Sequence, residues 1–127
     1  MSTLIYTHAA CLEHRPGPHH PESPERLEAV LTALKTPEFS RAVWRDAPVG
    51  TYNQVLRVHT PAYVQEVQEL SPEQGYQMLD GGDTIMSPGT LEAVMRSVGA
   101  ACAGVDDVVS GAAVSYTHLT LPTTERV

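Results

Sequence analysis

Proline follows serine or threonine at Ser23-Pro24, Thr36-Pro37, Thr60-Pro61, Ser71-Pro72 and Ser87-Pro88, and this punctuation limits what the chain can fold into more than any other feature. Ser or Thr before a helix offers a side-chain acceptor to an orphan backbone N–H, and Pro at the first helical position lacks an N–H that would go unpaired anyway. The same dipeptide at the end of a helical pattern stops it, since Pro removes a donor and drives the preceding residue out of helical geometry. Ser23-Pro24 thus opens a helix with Glu25 at its positive end. Leu27, Val30, Leu31 and Leu34 follow at helical spacing until Thr36-Pro37. Thr60-Pro61 opens another, through Tyr63, Val64, Val67 and Leu70 to Ser71-Pro72. Ser87-Pro88 caps a long last helix in which Leu91, Val94, Met95, Val98, Ala101, Cys102, Val105 and Val109 recur every three or four positions. With few charges between them, that pattern predicts burial over most of its circumference, and so a larger body around it.

Shorter signals fill the gaps. Leu4-Ile5-Tyr6-Thr7 is a β-prone run that feeds a loop rich in His, Pro and Gly from His14 to Pro24. Ala42-Val43-Trp44 and Ala47-Pro48-Val49 flank Arg45-Asp46 as a second short strand region, and Gly50-Thr51 opens a helical stretch through Val55, Leu56 and Val58. Residues 73–86 read as a loop containing Asp80-Gly81-Gly82-Asp83. After Ala113 the chain changes character. Val114 to Thr124 is an alternating string with four threonines, unlike what precedes it, and reads as a non-native tail set aside from the fold, the alternative being an ordinary terminal strand.

The chain has 127 residues, enough for one domain or part of a larger one. Its 8 Lys+Arg against 15 Asp+Glu leave a formal charge of -7, and no two basic residues are adjacent, so a nucleic-acid backbone is excluded as a direct partner. Cys11 and Cys102 are too few for a disulfide framework and too far apart for a metal knuckle, which predicts a reducing, cytoplasmic setting. No signal peptide and no membrane span are expected, since the N-terminus lacks a basic region with an apolar stretch and no eighteen apolar residues run together.

Chemistry-bearing residues cluster early. His8, Cys11, His14, His19 and His20 place five potential ligands within thirteen residues, which raises a metal- or protein-binding module using loop 8–20 as one reading. Their spacing does not match a zinc knuckle, and loop histidines bonded to backbone and water are the plainer one. Glu22 and Arg26 make sense as a local ion pair at a helix start, and Asp80 and Asp83 as turn residues.

In order along the chain, three motifs carry more. His20-Pro21-Glu22-Ser23-Pro24-Glu25-Arg26-Leu27, Val58-His59-Thr60-Pro61-Ala62-Tyr63-Val64 and Leu79-Asp80-Gly81-Gly82-Asp83-Thr84-Ile85-Met86-Ser87-Pro88-Gly89-Thr90-Leu91-Glu92-Ala93 resemble the opening third of the histone deacetylase family. The likeness spans residues 3 to about 112 and is strongest to the class II-like bacterial branch with acetylpolyamine amidohydrolases and acetoin utilization deacetylases. It implies an α/β, partial arginase/deacetylase fold, a parallel sheet with helices on both faces, of which residues 1–113 form the N-terminal part and 114–127 the tail. It also implies a zinc-dependent amide hydrolase acting on acetyl-lysine or acetylpolyamine, with a second copy of the chain as a candidate partner. In that family two aspartates and a histidine hold the metal, a tandem histidine pair moves protons and usually a tyrosine steadies the oxyanion; none of these can be matched here. No catalytic residue and no metal ligand is therefore expected in this chain, which should be inactive as written and bind no zinc. By the same likeness Asp83 falls at the rim of the substrate tunnel, Arg26 in the inner channel below the metal, and His20 and Glu22 in the entrance loop facing substrate. Tyr63 and His59 read as packing residues.

Overall fold

The computed structural model describes residues 2–119. β1 (Thr3–Thr7) is the central strand of a three-stranded sheet, with β2 (Val43–Asp46) on one side and β5 (Ser115–His118) on the other, both parallel to it. A central strand is covered on both faces, which is why Leu4, Ile5 and Tyr6 are all buried instead of alternating with exposed residues. α1 (Pro24–Leu34), α2 (Tyr52–Val55), α3 (Pro61–Leu70) and α4 (Thr90–Val109) make the rest an α/β fold, with two-residue strands β3 (Gln77–Met78) and β4 (Ile85–Met86) before α4.

Helix starts follow the Ser/Thr-Pro punctuation, with local differences. Pro24 and Pro61 occupy first-turn positions, and Thr60 Oγ1 accepts from the Tyr63 N–H at 3.3 Å, whereas the Ser23 hydroxyl makes no cap bond. α4 begins at Thr90, not at Ser87-Pro88; the Ser87 hydroxyl accepts from the Arg15 N–H, donates to the Glu13 carbonyl and lies 3.2 Å from Thr90 Oγ1. α2 covers one turn instead of reaching Val58; Thr51 and Gln54 form a reciprocal capping box around its start, and turns carry the chain from Leu56 to Thr60. The second strand runs through Arg45-Asp46 and stops before Ala47, pairing Tyr6 with Arg45 and Thr7 with Asp46. The expected loop 73–86 contains a small antiparallel ladder, Gln77 opposite Met86 and Met78 opposite Ile85. Ser115–His118, set aside with the tail in the sequence reading, supplies β5, and residues 120–127 lie outside the described residues.

Small residues bring α4 down onto the sheet. Leu4 and Tyr6 form a core cluster with Ala47, Ala100 and Ala113, and Tyr116 packs against it. A Cβ on Gly99 would lie 1.9 Å from the Pro48 carbonyl oxygen, and one on Gly104 would lie 2.3 Å from the Tyr116 ring, so only glycine permits this approach. The Gly50 N–H donates to the Met95 carbonyl at 2.7 Å, and Arg96 Nη1 to the Ala47 carbonyl at 2.9 Å, tying the segment after β2 to the same helix. A second cluster joins Cys11 and Leu27 with Leu12, Leu31 and Leu119. Within this chain α4 buries one face only: Val94 is 37%, Val105 51% and Val109 82% exposed, and the larger body expected around the helix is not supplied by these residues. The face made of Ala93, Gly99, Ala100 and Gly104 is the one that packs, and the larger aliphatics point away from the sheet.

Candidate functional site

That outer face of α4 floors an open groove of about 1540 Å³. Met95 and Val98 line it from α4, and Val64 and Val67 from α3. The loops at 16–22 and 79–85 form its polar rim.

The rim is built by short-range polar chemistry. Asp80 Oδ1 accepts from the N–H groups of Gly82, Asp83 and Thr84 at 2.9–3.0 Å, and its Oδ2 accepts from the Thr84 hydroxyl at 2.9 Å. The Thr84 and Gly82 N–H donors, followed by the Thr84 hydroxyl, pull the Asp80 carboxyl down to about 2. Gly82 supplies the φ of +133° that lets the chain fold around this carboxylate. The Leu79 N–H donates to the Thr84 carbonyl at 2.9 Å and closes the loop. Across from it, His20 Nε2 is 2.7 Å from the Asp83 carbonyl, and the Glu22 N–H donates to His20 Nδ1 at 3.1 Å. Because Nδ1 accepts, the ring proton lies on Nε2 and the Asp83 carbonyl receives it. Behind the rim His14, only 2% exposed, bridges Thr90 Oγ1 through Nδ1 at 2.7 Å and Glu22 Oε2 through Nε2 at 3.1 Å.

The histone deacetylase domain family matches residues 8–123 of this sequence, 116 of 127 positions and far more than half of the chain. The chain belongs to the histone deacetylase family. A histone deacetylase-like amidohydrolase of Pseudomonas aeruginosa is 29% identical over 138 residues, an alignment that covers 94% of this chain and 36% of the relative. An uncharacterised protein of Synechocystis sp. is 37% identical over 114 residues, covering 87% of this chain and 36% of that protein. Among solved structures, the crystal structure of the HDA15 HD domain superposes with a TM-score of 0.85 at 25% identity, covering 96% of this chain and 36% of that one. The chain thus spans about a third of the length of these relatives, and the superposition agrees with the α/β, parallel-sheet reading of this deacetylase-family segment.

Within this deacetylase-family segment, folding brings His20 and Asp83 together across 63 positions of sequence. Asp83 is exposed on the groove, and among the described residues no hydrogen bond reaches its carboxylate. Glu22 is turned inward, its carboxylate held by His14. Arg26 lies exposed in the first turn of α1 and lines the groove, with Nη1 3.5 Å from the Pro21 carbonyl. The His59 and Tyr63 rings pack on each other, centroids 5.3 Å apart, yet both stay exposed on the groove wall. The anchors that sequence reasoning missed are Thr90, Ser87 and the buried role of His14; partners 76 positions apart leave no local signal.

The five ligand candidates of loop 8–20 do not converge. His8 caps a 3-10 turn by accepting the Ala10 N–H, Cys11 is fully buried with burial pushing its thiol pKa up, His14 is committed to Thr90 and Glu22, His19 lies exposed on the groove rim, and His20 is committed to Asp83. Among the described residues no three His, Cys, Asp or Glu side chains form a group able to hold a metal ion. The described residues therefore do not make a zinc site. Between β1 and α4 the Tyr6 hydroxyl donates to Asp107, and burial, followed by that bond and the Asp107 charge, pushes the phenol up to about 12. This pair braces α4 against β1 and faces no groove residue.

Proposed function

We propose that this chain forms the entrance-side part of a zinc-dependent deacetylase that removes acetyl groups from lysine or polyamine nitrogen, and that the 127 residues alone do not catalyse. The observation that carries this reading is the Asp83 carboxylate, held at the groove rim by its backbone with no hydrogen bond to its own oxygens among the described residues. A fixed, unpaired carboxylate of this kind suits an amide N–H or an ammonium group close to the scissile acetamide. The apolar groove beneath it suits the alkyl stem of such a substrate, and Arg26 is assigned to the channel side of the same groove. His20 and Glu22 act on substrate through the shape of the rim. Zinc would be held by groups other than the residues described, so no chemical step is assigned to this segment. Two free cysteines support a cytoplasmic setting, and no helix among the described residues is long and apolar enough to cross a membrane.

The test is a chimera. Residues 1–113 replace the matching segment of the Pseudomonas aeruginosa amidohydrolase, and hydrolysis of acetyl-lysine peptides and acetylpolyamines is followed with and without zinc. Zinc-dependent turnover with Asp83→Ala raising KM roughly tenfold supports the reading, that being the loss expected for one charge-assisted hydrogen bond. Turnover by the 127-residue chain itself, blocked by a hydroxamate, would overturn the claim that this chain is inactive.

A further inference from the structure

Asp83 is gripped by its backbone on both sides. Its N–H donates to Asp80 Oδ1 at 2.9 Å, and its carbonyl accepts from His20 Nε2 at 2.7 Å. His20 is itself oriented, since the Glu22 N–H occupies Nδ1 at 3.1 Å. Glu22 is anchored in turn by Oε2 on His14 Nε2 at 3.1 Å, and His14 by Nδ1 on Thr90 Oγ1 at 2.7 Å, in the first residue of α4. One line of contacts therefore runs Thr90, His14, Glu22, His20, Asp83, from a buried helix start to an exposed rim. The loop it meets holds Gly81 and Gly82, which by themselves would let the Asp83 carboxylate sample many directions.

We propose that His20 and Asp80 are positioning residues that hold the Asp83 carboxylate in one orientation over the groove. Asp80 sets the curvature of the loop from inside, and His20 clamps it from the neighbouring loop. Neither needs to touch substrate. Ordering the carboxylate before binding removes an entropic cost that a free Gly-Gly loop would pay on each encounter. His20 then belongs to the site as a clamp, a different role from the substrate-facing one its motif suggests. The inference rests on the reading of Asp83 as a substrate contact.

The test uses the 127-residue chain and separates the two ideas. Nitrogen-resolved NMR of the histidine rings at neutral pH should show His20 as a single Nε2–H tautomer; a mixture of tautomers, as in free imidazole, overturns the clamp without any variant. His20→Phe keeps a ring but no nitrogen, and should speed amide exchange at Gly82, Asp83 and Thr84 roughly threefold to tenfold, the range for losing one solvent-accessible hydrogen bond. The β1 amides of Leu4, Ile5 and Tyr6 should not change, and His20→Gln, which retains an N–H donor, should recover part of the protection. Unchanged exchange in the loop overturns the proposal. The substrate reading is followed by titrating N-acetylputrescine and an acetyl-lysine amide. Probe shifts lost in Asp83→Asn support it, whereas a clamp seen by exchange with probe shifts unaltered in Asp83→Asn overturns the substrate reading and leaves a loop brace.

Discussion

Single side chains at the rim show how much depends on where a polar group's partners come from. All four hydrogen bonds of the Asp80 carboxylate come from residues within four positions of it, so Asp-Gly-Gly-Asp carries its own turn. Because its folded pKa lies near 2, below the ordinary 3.8, the Asp80 contribution is complete above about pH 4 and is lost as pH falls through 2. Carboxyl-resolved NMR should therefore find Asp80 titrating near 2, with loop amide shifts moving in the same window; titration near 3.8 would remove the cage. His14 is the opposite case, with a partner 76 positions away. Replacing it with Phe leaves Glu22 and Thr90 without their buried partner, and should cost about 1–3 kcal/mol in urea unfolding. A change below about 0.5 kcal/mol, within the range of neutral surface changes, would mean the bridge is unimportant.

At the scale of elements, α4 decides the architecture, and glycine decides α4. Its Gly99 faces the Pro48 carbonyl so closely that an added methyl group must displace backbone. Gly99→Ala should destabilise the chain by about 1–3 kcal/mol or more through overpacking. Gly81→Ala, with nothing within 4 Å of the added atom, should change stability by less than about 0.5 kcal/mol. Equal urea midpoints for the two variants would show that α4 does not sit against the Ala47–Gly50 segment as described. Helical periodicity marked the apolar positions of this helix, but not which of its faces packs on the sheet within this chain. Periodicity counts Val94 and Val105 as strong signals and Gly as none, yet close approach to a sheet rewards the residue with no side chain.

For the whole molecule, the groove competes with the charge. A formal charge of -7 favours solubility, but α3 and α4 leave a contiguous aliphatic lining open. We expect concentration-dependent self-association in sedimentation experiments. Val58→Lys together with Val67→Lys should raise the monomer fraction, since both residues line the groove and Val58 is 80% exposed. A chain that stays monomeric at high micromolar concentration, with no change in the variant, would place the apolar lining outside any association. The same groove joins the deacetylase-family reading to the physics of the segment, because its floor, wall and rim come from α4, α3 and two loops far apart in sequence.

Sequence alone determined what short-range chemistry controls. Ser/Thr-Pro dipeptides located α1 and α3, β-prone residues located β1, Asp-Gly-Gly-Asp located the rim turn, and three ordered motifs located the family. Asp83 and His20 could be singled out because each lies in one of those motifs. Only the tertiary structure decided that His20 meets the Asp83 backbone, that Glu22 turns inward to His14, that Ser87 spends its hydroxyl on the loop before α1, and that β5 pairs beside β1. Caps and turns are settled by partners within about four residues, whereas, the eight-position Glu22–His14 contact apart, these contacts close loops of tens of residues, and their partners are set by how α4 packs.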